Sequence, residues 1–312
     1  MRSRIGVEAA LGALWSVWLA TAGCCGGAPL IVDTDMALDD VRAIALLSSS
    51  RTLAIIAVVT SDGSSGARAG YESAVRVLRA LGLDRVPIGM GPSLDAPPPP
   101  WRGLSEALGW SAIVSSGPGT QPAQREPPAD AVSVIAGALR DSAAPVDYVC
   151  LGPLTNLAQL IHEKPELATR IARVLYVGST RPDPTPGWNT LRDPSSTDRV
   201  FGADIAICAF DMDDPDVLRF DSGLWQEVGH VESAAAQLIY GLHRDSRVQA
   251  LLRERHFRAW DETVPLYLHD PAIAHPEPFP GRPRGIRIGA VDVDAARNAY
   301  LAILKQRRSG RP

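Results

Sequence analysis

The sequence predicts an α/β fold, with a single domain, a mostly parallel and doubly wound central sheet, and an active site at the carboxyl ends of the strands. Short apolar runs alternate with segments whose apolar residues recur at helical spacing. Such alternation is typical of a parallel sheet covered by helices on both faces. The 312 residues, 46% hydrophobic and 21% charged, provide enough apolar material for one large core.

The predicted elements follow one another in regular order. The predicted strands are PLIV (29–32), LAIIAVV (53–59), VPIGMG (86–91), VDYVCLG (146–152), ARVLYVG (172–178) and IAICAF (205–210). The predicted helices cover 40–48, 71–81, 129–140 and 154–163. A Pro/Gly-rich excursion from Pro92 to Pro128, which holds Trp101 and Trp110, interrupts the alternation. We expect the domain to span 28–304, followed by a basic, solvated tail at 305–312.

The first 27 residues have the pattern of a secretory leader. Two arginines precede an apolar stretch from Ala9 to Ala20, which is short for a membrane span, and small residues follow. The segment TAGC resembles a bacterial lipoprotein cleavage box and predicts a lipid anchor at Cys24. We therefore expect an exported protein, periplasmic or membrane-anchored; a plain N-terminal extension is the alternative.

The remaining cysteines and the net charge argue against a zinc site, a disulfide-rich protein and a nucleic-acid-binding protein. Cys150 and Cys208 end apolar runs without CxxC spacing, which predicts two buried free thiols rather than a zinc site or a disulfide framework. The net charge of −4 shows no basic footprint for nucleic acid.

Four aspartates at the end of the first strand are the strongest chemical signal. Asp33, Asp35, Asp39 and Asp40 fall within eight positions, and like charges that close must share protons or bind a cation. Oxygen ligands without nearby His or Cys favour Ca²⁺ or Mg²⁺ over zinc, and Ca²⁺ tolerates irregular geometry. The alternative is a helix cap with solvated turn carboxylates.

Four segments in order resemble the inosine-uridine preferring nucleoside hydrolase family. DTDMALDD resembles its DxDxGxDD signature, LGPLTN its GPLTN helix start, GWNTLRDP its N…DP segment, and HDPAIA at 269–274 its HDP motif. The resemblance covers residues 29 to 275. It implies a nucleoside hydrolase-like domain that cleaves the N-glycosidic bond of nucleosides with a Ca²⁺ at the strand ends.

The resemblance also implies roles for individual residues. Asp35, Asp40, Asp270 and the carbonyl of Leu151 would bind Ca²⁺, with Asp33 behind them. Asp35 would also be the general base that activates a water, and His269 would donate to the leaving base.

The pocket for the substrate is implied less completely. Asp39 and Asn189 would hold the ribose hydroxyls, and Ser61 or Asp62 would replace a ribose-binding asparagine. Four tryptophans are candidates for stacking on the base: Trp101, Trp110, Trp188 and Trp260.

Several positions depart from the family pattern. Met36 and Ala37 stand where proline and glycine are usual, and Gly187 stands where a glutamate faces the ribose 5′-hydroxyl. Two other functions stay open at this point. One is a ribose- or nucleoside-binding protein of the same fold with little turnover, and the other is a phosphatase with DTD as nucleophile. A small-molecule nucleoside is the expected partner, and a homo-oligomer is compatible with the sequence.

Overall fold

The computed structural model describes residues 27–114, 127–178, 187–211, 217–254, 256–279, 281–282 and 284–306, without the side chains of 109–114. The predicted leader with Cys24, the side chain of Trp110 and residues 307–312 of the basic tail therefore lie outside the described part of the chain.

The described strands form one nine-stranded sheet, mostly parallel. The strands are β1 (Ala28–Thr34), β2 (Leu53–Thr60), β3 (Ile88–Met90), β4 (Ala129–Asp130), β5 (Val146–Cys150), β6 (Ile171–Val177), β7 (Ile207–Phe210), β8 (Ala274–Pro278) and β9 (Gly285–Val291). Their order across the sheet is β4-β3-β2-β1-β5-β6-β7-β9-β8, and only the β8–β9 pair among them is antiparallel. The predicted fold class is confirmed.

Helices cover both faces of this sheet. They are α1 (Leu38–Ser49), α2 (Ala67–Ala80), α3 (Arg102–Val114), α4 (Ala131–Asp141), α5 (Thr155–Glu163), α6 (Pro165–Ala168), α7 (Trp188–Arg192), α8 (Pro194–Gly202), α9 (Ser222–Gly229), α10 (Ala234–Leu242), α11 (Ser246–Arg253), α12 (Thr263–His269) and α13 (Val293–Leu304). Two apolar clusters form the core, because alternate residues of a strand point to opposite faces: Leu30 and Val32 join one, and Ile31 joins the other. Among the described helices, none is both long and apolar enough to cross a membrane.

The sequence patterns located most of these elements but not all of them. The excursion at 92–128 contains α3, which was not predicted. The strands and helices after β7 were not predicted from the sequence either. Cys150 and Cys208 are buried free thiols, as predicted.

The strand order reverses between β1 and β5. The chain proceeds from β1 outward through β2 to β4 on one side, and from β5 outward on the other. In open α/β sheets, ligands bind in the crevice at the carboxyl ends of the strands where this reversal occurs. The residues directly after β1 and β5 therefore belong to the part of the sheet where a site is expected.

Candidate metal and substrate site

The loop between β1 and α1 is built around Asp40. Its Oδ2 accepts a hydrogen bond from the backbone N–H of Ala37 at 3.0 Å, which caps the first turn of α1. Its Oδ1 accepts from the Thr34 hydroxyl and from the N–H of Asp35 at 3.2 Å. Met36, between them, has a φ of 55°, a conformation that proline cannot adopt. The loop thus holds Asp35 and Asp40 side by side with a locally strained backbone.

Asp35 is enclosed by two other strand ends. It is 2% exposed, and its Oδ2 accepts from the N–H of Ser64 at 2.8 Å, in the loop after β2. A Cβ at Gly63 would lie 2.0 Å from that Oδ2, and a Cβ at Gly152 would lie 3.1 Å from the Cβ of Asp35. Only glycine at these two positions allows such close approach. Sequence reasoning did not single out Gly63, Ser64 or Gly152 as neighbours of Asp35.

Three carboxylates converge beside this loop. Single oxygens of Asp39, Asp40 and Asp261 all lie within 4.8 Å of one another. Burial, followed by the charges of the other aspartates, raises the pKa of Asp40 and Asp261 well above the usual range. Burial likewise raises the pKa of Asp39, although its side chain is half-buried and therefore reachable from solvent. Charges this close are stabilised by a divalent cation or by shared protons.

Asp33 lies behind this group. It is fully buried, and its two oxygens accept from the Tyr148 hydroxyl at 2.7 Å and from Nδ2 of Asn156 at 3.0 Å. Burial raises its pKa to about 7 despite these bonds. Tyr148 and Asn156 thus fix Asp33 against β5 and the start of α5.

Asn189 and Leu151 meet at the neighbouring strand ends. Nδ2 of Asn189 donates to the carbonyl of Leu151 at 2.6 Å and to that of Val177 at 2.9 Å. The N–H of Leu151 in turn donates to the carbonyl of Asp33 at 2.8 Å. The structure therefore brings the expected carbonyl ligand and the expected ribose ligand together beside β1.

The third carboxylate of the cluster is Asp261 and not Asp270, which was expected from the sequence to bind the metal. Asp261 precedes α12, is 4% exposed and joins the cluster, whereas Asp270 follows the helix, is exposed and accepts from the N–H of Ala272 at 3.0 Å. The eight residues between the two aspartates include all of α12, which at a rise of about 1.5 Å per residue separates them by roughly 10 Å or more.

The same correction applies to His269. It is the last residue of α12, is exposed, and sits at the Asp270 end of the helix. The residue directly before Asp261 is Trp260, which is 40% exposed. The signal that sequence reasoning missed was the segment WDE, which places an acid at the start of an apolar helix.

Asp62 has a different role from the expected one. Its Oδ1 forms ion pairs with Arg102 and Arg192, at 2.6 Å for Arg192, and its Oδ2 accepts from the N–H of Leu94 at 3.1 Å. Both oxygens are thus engaged in holding the loop after β2 against the residues after β3. The substrate-binding role expected for Asp62 does not fit this arrangement.

Aromatic side chains lie at the edge of the site. The rings of Trp101 and Trp188 meet edge to face at 4.8 Å, and Trp101 is 43% exposed. Nε1 of Trp101 donates to the hydroxyl of Ser64 at 3.4 Å, the residue that binds Asp35. Trp188 directly precedes Asn189. This pair therefore places an accessible aromatic surface beside the carboxylates.

The donor set fits a hard divalent cation. The neighbouring groups are the carboxylates of Asp35, Asp39, Asp40 and Asp261, and the Leu151 carbonyl lies at the adjacent strand end. Each of these groups offers an oxygen atom as a metal ligand. Ca²⁺ takes six to eight such ligands, while zinc prefers nitrogen and sulfur. Burial, and then the mutual repulsion of the aspartates, raise the pKa of Asp40 and Asp261, and a bound cation would offset both effects.

The chain resembles one described protein family over most of its length. The family is the inosine-uridine preferring nucleoside hydrolases, and the match covers residues 30–303. The pyrimidine-specific ribonucleoside hydrolase RihA of Salmonella paratyphi B is 28% identical over 234 residues, 70% of this chain and 73% of the relative. RihA of Shewanella woodyi is 32% identical over 196 residues, 59% of this chain and 60% of the relative.

Solved structures share the fold at lower identity. A plant nucleoside hydrolase, PpNRh1, superposes with a TM-score of 0.73 at 17% identity, covering 89% of this chain and 99% of its own. A purine-preferring ribonucleoside hydrolase from Gardnerella vaginalis superposes with a TM-score of 0.72 at 18% identity, covering 89% and 98%. These likenesses show the same architecture.

Proposed function

Because the chain belongs to the inosine-uridine preferring nucleoside hydrolase family and is therefore an N-glycosyl hydrolase, we propose that it hydrolyses ribonucleosides to base and ribose. The proposed site is the cluster of Asp39, Asp40 and Asp261 together with the adjacent Asp35, and Ca²⁺ is the proposed metal. The family is metal-dependent. The observation that carries the proposal is the convergence of buried carboxylates with Leu151 and Asn189 at the switch point of the sheet.

The ribose is held by residues of two strand ends. Asp39 is half-buried and projects from the first turn of α1, so its carboxylate can accept hydrogen bonds from adjacent ribose hydroxyls. Asn189 uses Nδ2 to bind backbone carbonyls, which leaves its amide oxygen as an acceptor for ribose. Fixing the sugar in this way supplies orientation for the reaction.

The carboxylates stabilise the charge that develops when the bond breaks. Cleavage of the C1′–N bond passes through an oxocarbenium-like sugar, as in glycoside hydrolysis. With a divalent cation bound, Asp39, Asp40 and Asp261 would be ionised. They would then place negative charge near the oxocarbenium-like sugar in a water-poor environment, where electrostatic stabilisation is strong. Asp33 lies behind them.

Asp35 is the group proposed to take the proton from water. A bound divalent cation would supply the charge that makes a neighbouring water more acidic. The N–H of Ser64 and the close approach of Gly63 fix the orientation of the Asp35 carboxylate, which a general base requires. Trp101, Trp188 and Trp260 offer aromatic surface for the leaving base.

A panel of nucleosides tests the proposal. Purified protein is incubated with uridine, cytidine, inosine, guanosine and adenosine, and free ribose is measured with and without a chelator, then after Ca²⁺ or Mg²⁺ is restored. We expect ribose release that chelation stops and Ca²⁺ restores better than Mg²⁺. Release that is indifferent to chelation would contradict the metal, and no release from any nucleoside would contradict the substrate.

A further inference from the structure

Arg42 is a fully buried cation on the helix that carries the carboxylate cluster. It lies two residues after Asp40 on α1 and is 0% exposed. All three guanidinium nitrogens have acceptors: Nε donates to Oε1 of Glu262, Nη1 to Nε2 of His243 at 3.2 Å, and Nη2 to the carbonyl of Arg258 at 2.9 Å. Three of its five N–H donors, one on each nitrogen, are therefore engaged inside the protein.

These acceptors belong to segments far from α1 in sequence. His243 directly follows α10. Its Nδ1 donates to the carbonyl of Ile239 at 2.7 Å, which leaves Nε2 as the acceptor for Arg42. Arg258 and Glu262 lie in the segment that leads into α12 and contains Asp261. The guanidinium also lies 4.7 Å from the ring centroid of Phe220. Arg42 thus joins α1 to the end of α10 and to the start of α12.

We propose that the buried Arg42–Glu262 pair, here called the clamp, is a positioning device for the cation site that sets the separation between Asp40 and Asp261. Asp40 precedes Arg42 by two residues, and Asp261 directly precedes Glu262. The inference rests on the proposed metal. Neither clamp residue is a catalytic residue, since both act through the carboxylates beside them.

The physical chemistry of buried ion pairs supports a geometric role. Desolvation of two charges offsets much of their attraction, so apolar residues of similar size often replace such a pair without loss of stability. An apolar pair, however, would not fix the angle and distance between two backbone segments as a three-bonded guanidinium does. Partners that orient the ligands of a metal typically change its affinity 10- to 100-fold when they are removed.

The main variant is the double replacement Arg42→Met with Glu262→Leu, measured by calorimetric titration of the metal-free full-length protein with Ca²⁺. We expect metal-free thermal stability near that of the wild type and Ca²⁺ binding weakened about 10- to 100-fold. Turnover should recover as Ca²⁺ is raised. The variant Glu262→Gln keeps an oxygen acceptor for Arg42, so we expect Ca²⁺ affinity within about threefold of the wild type.

A second ion pair provides the matched control. Arg173 and Asp147 pair at 2.9 Å across β5 and β6, and Asp147 lies beside Leu30, well before the carboxyl end of β1. The double replacement Arg173→Met with Asp147→Leu should leave the Kd for Ca²⁺ unchanged. If the main variant does not fold, Arg42→Lys takes its place. It keeps the positive charge but lacks the planar guanidinium that bonds three partners, so the same weakening of Ca²⁺ binding is expected.

The outcomes separate the two proposals. If the wild type binds no Ca²⁺, both the metal and the clamp are overturned. If the wild type binds Ca²⁺ and the main variant, or Arg42→Lys in its place, binds it equally well, only the clamp is overturned. Weakening in Glu262→Gln as large as in the main variant would also overturn the clamp, because charge rather than position would then control the affinity.

Discussion

Replacing Asp261 with asparagine tests the carboxylate that the structure places in the cluster, and replacing Asp270 with asparagine tests the one that the sequence placed there. The substitutions are chemically identical, which makes each the control for the other. Asp261 lies within 4.8 Å of Asp39 and Asp40, whereas Asp270 is exposed at the other end of α12. Only Asp261→Asn should therefore affect the binding of a cation.

The expected magnitudes follow from these distances. Two unit charges no more than 4.8 Å apart repel by at least about 3.5 kcal/mol at an effective dielectric constant of about 20. Asp261→Asn removes that repulsion, so the metal-free variant should be at least as stable as the wild type. Ca²⁺ at about 100 times its Kd stabilises the wild type by about 2.7 kcal/mol, or roughly 5–10 °C in Tm. Asp261→Asn should lose most of that gain, and Asp270→Asn should keep it.

The assay is thermal unfolding followed by circular dichroism, with chelator and with excess Ca²⁺, together with ribose release at each condition. The reasoning is refuted if Asp270→Asn loses the calcium-dependent gain in Tm while Asp261→Asn keeps it. Equal loss in both variants would likewise contradict it, because the geometry separates the two residues.

Three further predictions concern the same domain. Asp35→Asn should lower kcat by at least about 100-fold with little change in Tm; near-normal kcat would reject Asp35 as general base. Gly187 has no carboxylate for the 5′-hydroxyl, so 5′-deoxy ribosides should keep kcat/KM within about tenfold, or ~1.4 kcal/mol, while 2′-deoxy analogues react poorly; a steep loss on 5′-deoxygenation would refute this. Burial and Arg42 lower the pKa of His243 to about 3, so the stability it contributes is present above pH 6.5 and is lost as the pH falls towards 3. Between pH 7.5 and 5 this loss is about 2 kcal/mol, and urea unfolding of His243→Gln should show a pH dependence shallower by that amount, whereas parallel curves would contradict it.

The alternation of strand and helix patterns was sufficient to predict the class of fold. Strands such as β1 and β5 are buried on both faces, so their apolar composition is a local property that the sequence displays directly. The crowding of Asp35, Asp39 and Asp40 at one strand end was also visible, since it depends only on neighbours in the chain. That crowding predicted an acidic site, which the structure contains.

Contacts between distant segments were decided by the tertiary structure. Asp261 joins Asp40 because α12 packs against α1, and the HDP motif around Asp270 is just as plausible when only spacing is considered. Asp62 looked available for substrate until Arg102 and Arg192 were brought to it from separate helices.

Arg42 illustrates the same limit over a long separation in sequence. Its partner Glu262 lies 220 residues away, and no local pattern links an arginine in the middle of an apolar helix to that residue. Periodicity specifies which face of a helix is buried, but it carries no information on what the buried face meets. The sequence therefore determined the class of fold, most of the strands and helices up to β7, and the acids at the end of β1. Only packing determined which residues complete the site, because those choices depend on how α1, α10 and α12 come together.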